Sequence, residues 1–281
     1  MKKIILSVVS LFIVLSVLFF SCDKIEKDEY LKPVDDLQWN GRKILLEEFT
    51  GHRCTNCPEA TAVAKVLAST YPNIVLISIH AGTLANPTVS GSYMTDYNTP
   101  EGTAIYESFK VTATPMGLVS RNIYQNQDVL QSGDWASAIT SIYYTLPMLD
   151  LSLDGTSYDS TSRKIQVKAT VKFNQKITED LNIIYAITED NLTSPQKFPT
   201  SDSLQYTHQH VLRQMPSGIW GEQFLSKSNN EKIGDEKMIT KEFELIEKVV
   251  PENCNIVVYI TNRETKEVLQ VEELLINGIV K

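Results

Sequence analysis

The sequence predicts an α/β domain over residues 42–149 followed by an all-β antiparallel sandwich over residues 150–281. Three observations carry this. Up to Leu149, aliphatic and β-branched runs alternate with stretches whose small and apolar residues recur at helical spacing. Beyond it, a period of two takes over: Ile165, Val167, Ala169, Val171 and Phe173 fall on one face, mostly lysines and polar residues on the other. The chain has 281 residues, 42% hydrophobic and 21% charged, which is enough for two modest domains with real cores.

Each element has a local reason. Residues 43–49 read as a short strand, and residues 57–71 as a helix with Ala60, Val63, Ala64 and Leu67 on one side. Residues 73–82 are a buried strand that ends at His80 and a glycine turn. Residues 98–111 open a second helix, with Thr99 as N-cap and Pro100 in its first turn. A strand after Pro115 and a helix over 133–146, closed by Pro147, complete the first part. In the second part, strands are predicted within 164–173, 181–190, 209–215, 241–246, 255–262 and 267–276. The Pro-, Ser- and Thr-rich stretch from Asn191 to Ser203 reads as an exposed loop.

The N-terminus stands apart. Two lysines precede an unbroken apolar stretch from Ile4 to Phe20, and Ser21 and Cys22 follow. This resembles a bacterial lipoprotein signal, in which the leader is cut before a cysteine that then carries lipid. The stretch is a little short for a spanning helix, which takes about 20 apolar residues. Residues 1–21 are therefore expected to be a signal peptide, Cys22 the lipidation site, and the charged, proline-containing segment 22–41 a tether. Lipid would hold the chain at a membrane without spanning it. The net charge of −8 and the lack of a basic stripe argue against a nucleic-acid partner. Nothing in the sequence sets the oligomeric state.

Export places the cysteines in an oxidising compartment. With Cys22 lipidated, Cys54 and Cys57 form the natural pair, while Cys254 precedes a strong strand and reads as a buried small hydrophobe. The segment EFTGHRCTNCPEA leaves three uses open for the pair: thiol–disulfide exchange, a structural staple, or metal handling with His52 or His80. A structural zinc needs about four ligands and no second CxxC exists, so no metal site is expected there. His208 and His210, two apart, would share one face of a strand, but no third ligand lies near them in sequence. There is no phosphate loop, G-x-S-x-G elbow or HExxH, and no cofactor is expected.

The setting favours exchange. Cys54 lies between a strand and a helix, where free backbone N–H groups and the helix dipole stabilise a thiolate. Cys57 is expected one turn into the helix, within reach of a mixed disulfide on Cys54. Arg53 and a protonated His52 are expected to favour the thiolate further. The strand–CxxC–helix unit, the strand at 73–82 and the Thr114–Pro115 pair before another strand resemble the thioredoxin fold. That resemblance implies that Cys54 attacks, that Cys57 resolves, and that Pro115 is cis and shapes the substrate groove. It also puts Glu48, six residues before Cys54, where thioredoxins often bury an acid that can relay a proton. The chain departs from thioredoxins proper in having Arg53 in place of an aromatic and Thr55–Asn56 in place of Gly–Pro.

The leader, EEFTGHRCTNCP, the Thr–Pro strand and THQHVLRQMPSGIWG together resemble the outer-membrane lipoprotein family named for a twenty-eight-kilodalton outer-membrane protein. That resemblance implies a thioredoxin-like domain, then an immunoglobulin-like β domain, and an outer-membrane address facing the periplasm or the cell surface. The expected function is thiol–disulfide exchange with exported proteins. The alternative is a non-enzymatic surface binding or adhesion lipoprotein whose CxxC is a structural disulfide. Solvent access to Cys54 discriminates between them, and the long insert from Gly82 to Thr99 is either a lip or a lid over the pair.

Overall fold

Strand β1 (Ile44–Thr50) is buried along its whole length, as its run of aliphatic residues demands. The computed structural model describes residues 41–229 and 231–276, so the expected signal peptide, Cys22 and the tether up to residue 40 lie outside the described residues. β2 (Ile74–His80), equally buried, runs parallel to β1 from the Ile44–Ile74 pair to the Thr50–His80 pair. A parallel pair needs a crossover, and α1 (Cys57–Thr70) supplies it. α2 (Pro100–Ser108) begins as its sequence predicts, with the Thr99 hydroxyl accepting a hydrogen bond from the Gly102 amide at 2.9 Å. β3 (Met116–Val119) pairs antiparallel with β1, β4 (Val129–Leu130) adds to β3, and α3 (Trp135–Tyr143) returns across the sheet. Ala60, Ala64 and Leu67 of α1 and Trp135, Ile139 and Ile142 of α3 cover Ile44, Leu46 and Val119 on one face.

The second part is built from β5 (Leu149–Asp159), β6 (Lys164–Phe173), β7 (Leu181–Glu189), β8 (Leu192–Lys197), β9 (Asp202–His208), β10 (Val211–Gln214), β11 (Glu222–Leu225), β12 (Glu236–Glu244), β13 (Cys254–Asn262) and β14 (Val268–Leu275). The alternation read at Ile165–Phe173 is observed in β6, whose apolar residues are all buried. β12, β6 and β5 make a three-stranded antiparallel sheet. Its inner face packs on β7 and β13 through Leu149, Val167, Phe173, Tyr185, Ile187, Val258 and Ile260.

The two parts share one sheet. Among the described residues its order is β14-β13-β7-β10-β2-β1-β3-β4, with β11 also paired to β7. The join is the parallel contact of β10 with β2, where Val211 faces Ser78 and the Ser78 amide donates to the His210 carbonyl at 2.8 Å. One apolar cluster spans the join, with Phe49, Ile77, Ile79 and Ile105 packed together with Ile184, Leu212, Val257 and Tyr259. Residues from Gly41 onward accordingly form one compact unit. The structure is mostly β with a small helical part.

The stretch expected to be an exposed loop, Asn191 to Ser203, is instead mostly strand. β8 and β9 pair with each other as a two-stranded hairpin, separate from the other sheets, and Ser194 and Gln196 are buried. Polar composition suggested exposure, but hydrogen bonding to a surface far away in sequence lets these side chains be buried. His208 ends β9 and β10 begins at Val211, so no strand runs through both histidines. His210 has a left-handed backbone (φ 55°), which turns the chain, so the two imidazoles do not share a face.

Candidate functional site

β1 delivers the CxxC loop and α1 receives it. The Cys54 amide donates to the Gly51 carbonyl at 3.0 Å, closing a tight turn, and the Arg53 amide donates to Leu84 at 3.1 Å, docking the 82–99 insert on the loop. A Cβ on Gly51 would sit 2.6 Å from the Leu84 backbone, so close approach of the insert requires glycine here. Asn56 is the N-cap of α1, and Pro58 falls in the first turn, where its missing N–H costs nothing. Cys57 is therefore the first helical residue. It does not lie one turn inside the helix, and Cys54 precedes the helix by three residues. A helix start leaves its first amides without intrahelical partners, so the pair sits at the positive end of α1.

Cys54 and Cys57 are joined as a disulfide. The Cys54 sulfur lies 3.6 Å from the carbonyl oxygen of Thr114, and the Thr114–Pro115 peptide is cis. A shallow open groove lined by Asn56, Glu59, Ala60, Ala113, Pro115 and Met116 runs beside this contact. The cysteines themselves are shielded, Cys54 being 2% and Cys57 1% exposed.

Glu48 is buried in the sheet, 3% exposed. It does not face solvent. Its carboxylate accepts a hydrogen bond at 2.8 Å from the hydroxyl of Thr61, one turn past Cys57 on α1. Burial pushes its pKa up to about 7, with Thr61 and the Lys65 charge opposing the shift. Tyr206 of β9 stands beside it, its phenol pKa raised by burial and by the Glu48 charge.

Three buried histidines surround the far side of the disulfide: His52 from the CxxC loop, His80 from the end of β2, and His208 from the end of β9. Their rings lie 6.3 Å (His52–His80) and 5.4 Å (His80–His208) apart. Tyr93 stacks on His52, and Tyr97 packs against both His80 and His208. Burial lowers all three pKa values: His208 to about 4, His80 well below the usual range, and His52 with further help from Arg53. His52 is therefore neutral near pH 7 and adds no cationic field to a Cys54 thiolate, contrary to the expectation from sequence. Arg53 turns to the Thr83 carbonyl. Among the described residues His80 Nδ1 has no hydrogen-bond partner, whereas His208 Nε2 meets the Ser194 hydroxyl at 3.0 Å. No group of three His, Cys, Asp or Glu among the described residues is placed to hold a metal ion.

The covering over the pair comes from two directions. The 82–99 insert closes on the CxxC loop through Leu84 and Tyr93, while its Tyr97 packs on His80 and His208. The β8–β9 hairpin closes from the other side. Gln196 Nε2 donates to the carbonyls of Cys54 (2.9 Å) and Gly51 (3.4 Å), and the Lys197 amide donates to His52 O (2.8 Å). Cys57, Thr61, His80, Gln196, Tyr206 and His208 line a narrow cavity between hairpin and helix. Gln196 and Tyr206 escaped sequence reading because nothing local marks a residue that acts 142 positions away. Cys254 is buried as expected, with its thiol pKa pushed up to about 12 by burial.

Fold and site together define a mostly-β protein with a CxxC disulfide set at the start of its first helix. Within that class, the chain belongs to the family described as Outer membrane protein Omp28, whose model matches residues 102–278. That description supports an outer-membrane address. The matched region begins beyond Cys57, so membership by itself says nothing about the disulfide. The fold is similar to that of HBP35 of Porphyromonas gingivalis, with a TM-score of 0.63 at 13% identity over 86% of this chain and 77% of that one. A domain of the outer membrane lipoprotein Omp28 from Porphyromonas gingivalis matches 48% of this chain and 92% of its own length at 20% identity, with a TM-score of 0.31. No curated protein matches the chain.

Proposed function

We propose that this chain is an outer-membrane protein, lipid-anchored at Cys22, whose residues 42–149 form a thioredoxin-like part that exchanges disulfides with exported proteins. Residues 150–281 then form an immunoglobulin-like part fused to it through the shared sheet. The observation that carries this reading is Glu48. Burying a carboxyl costs free energy, and a plain staple needs no acid with a pKa near 7 bonded to the helix that carries its second sulfur. The disulfide beside a cis-proline supports the same reading.

The chemistry follows from the oxidised form. A thiolate of the exported protein attacks the Cys54 sulfur, the Cys54–Cys57 bond breaks, and Cys57 leaves as a thiolate that takes up a proton by way of Glu48. A second thiolate of the same substrate attacks its own sulfur in the mixed disulfide and expels Cys54. Two electrons pass to the CxxC pair and the substrate gains a disulfide. The reverse sequence reduces a substrate disulfide. A reading in which the disulfide is a staple in a non-enzymatic surface binding lipoprotein is favoured by one observation, the near-complete burial of both cysteines.

Expression of Cys57→Ser with its leader separates the two. Exchange predicts protein adducts that are released by reductant, are found in the outer-membrane fraction and are absent when Cys54 is also serine. Complete lack of adducts would favour the staple, and adducts confined to the soluble fraction would exclude the anchor.

A further inference from the structure

We propose that the β8–β9 hairpin is a hinged cap over the disulfide and that Cys54 and Cys57 react only when it swings open. The inference deepens the exchange reading and rests on it for its biological meaning, although the cap itself is a property of the fold.

Four observations carry it. First, the hairpin is a two-stranded sheet that pairs with no other strand among the described residues. Second, none of the three apolar core clusters contains a residue of β8 or β9. Its underside is polar and amphipathic instead, presenting the buried Ser194, Gln196 and His208 and the partly buried Tyr206, with His208 packed ring to ring on His80 and Tyr97. Opening such a seam exposes polar groups and ring edges rather than an aliphatic core, so it forfeits less hydrophobic free energy than opening either sheet. Third, the hairpin is bracketed by two non-glycine residues with left-handed backbones, Asn191 (φ 61°) and His210 (φ 55°). These adjoin β7 and β10, whose neighbouring residues Glu189 and Val211 are fully buried in the main sheet. Asn191 and Gln209 bond to each other side chain to side chain at 3.2 Å, tying the two stems so that the hairpin moves as one body. Fourth, its direct grip on the CxxC loop is specific: Gln196 on the carbonyls of Gly51 and Cys54, and the Lys197 amide on His52, with the rest of the seam made by polar contacts of Asp202 with Tyr93 and Ser194 with Tyr97 and by ring packing of His208 on His80 and Tyr97. Pro195 and the register shift between Ser194 and Gln196 interrupt β8 at the residue that makes the latch.

Two measurements on the full mature chain test the cap without requiring a physiological substrate. In native-state hydrogen exchange, the Lys197 amide is expected to exchange about a hundredfold or more faster than the amides of β7, at a rate unaffected by conditions that change global stability. With a water-soluble phosphine as reductant, Gln196→Ala is expected to lose its disulfide about tenfold faster than the wild type while retaining its circular dichroism spectrum. Protection of Lys197 equal to that of β7, or an unchanged reduction rate in a folded Gln196→Ala, overturns the proposal. If the variant does not fold, the exchange measurement on the wild type decides. The outcomes separate from those of trapping: a cap that opens in a protein that traps no partner leaves the cap standing and removes the exchange reading.

Discussion

At the scale of single residues, Glu48 is where burial and chemistry conflict most. Its carboxyl titrates near 7 in the folded chain against an ordinary value of 4.5. Between those values the native state binds more protons than the unfolded state, so stability falls as pH rises from about 4.5 to about 7 and levels off above. Glu48→Gln keeps an acceptor for Thr61 and abolishes that loss. Relative to wild type it is expected to gain up to about 3 kcal/mol between pH ~4 and pH ~8 in urea denaturation. A difference independent of pH would mean that Glu48 titrates normally and is not the buried acid described here. Glu48 was legible as a candidate from its position, six residues before Cys54. Its burial was not, since nothing in EEF says which glutamate is covered by α1.

At the scale of elements, the site depends on β3 holding Pro115 against the CxxC loop, and β3 is held by a close fit. Gly117 pairs with Glu48 across the β1–β3 ladder, and a Cβ there would lie 2.8–2.9 Å from the ring of the fully buried Trp135. Gly117→Ala is therefore expected to cost about 1–3 kcal/mol through overpacking, read as a lower denaturant midpoint. An unchanged midpoint would show that α3 yields to the added methyl. The helices and the main strands around this contact were readable because each carries its own periodicity. The β8–β9 hairpin was not, because TSPQKFPTSDS has the composition of a loop and is ordered by what it lies against.

At the scale of the whole molecule, a buried ion pair within the first part reaches into the second through the Tyr259 hydroxyl and the Trp220 and Tyr259 rings. Arg121 donates through Nε and an Nη to both oxygens of Glu47 at 2.8 and 2.7 Å, and to the Tyr259 hydroxyl at 3.2 Å. Its guanidinium is also enclosed by the rings of Phe109, Trp220 and Tyr259. Burial pulls the Arg121 pKa down, but Glu47 and Tyr259 outweigh it and hold the group charged. Arg121→Met leaves Glu47 unpaired in the interior and is expected to cost about 3–5 kcal/mol, whereas Arg121→Met with Glu47→Leu costs less than either single change. A double variant as unstable as the sum of the singles would show that the pair is not coupled.

The sequence by itself determined the main strands and helices of the first part and six strands of the second, the pairing of Cys54 with Cys57, the cap at Thr99 and the burial of Cys254. Each of these is written in local periodicity or in spacing along a few neighbouring residues. Only the tertiary structure decided that one sheet runs through both parts, that His52 and its two partners are buried and neutral, and that the disulfide is covered. Those features arise where segments tens to well over a hundred residues apart meet, as when Gln196 reaches the Cys54 carbonyl. There the cost of burying polar groups depends on partners that no local pattern names.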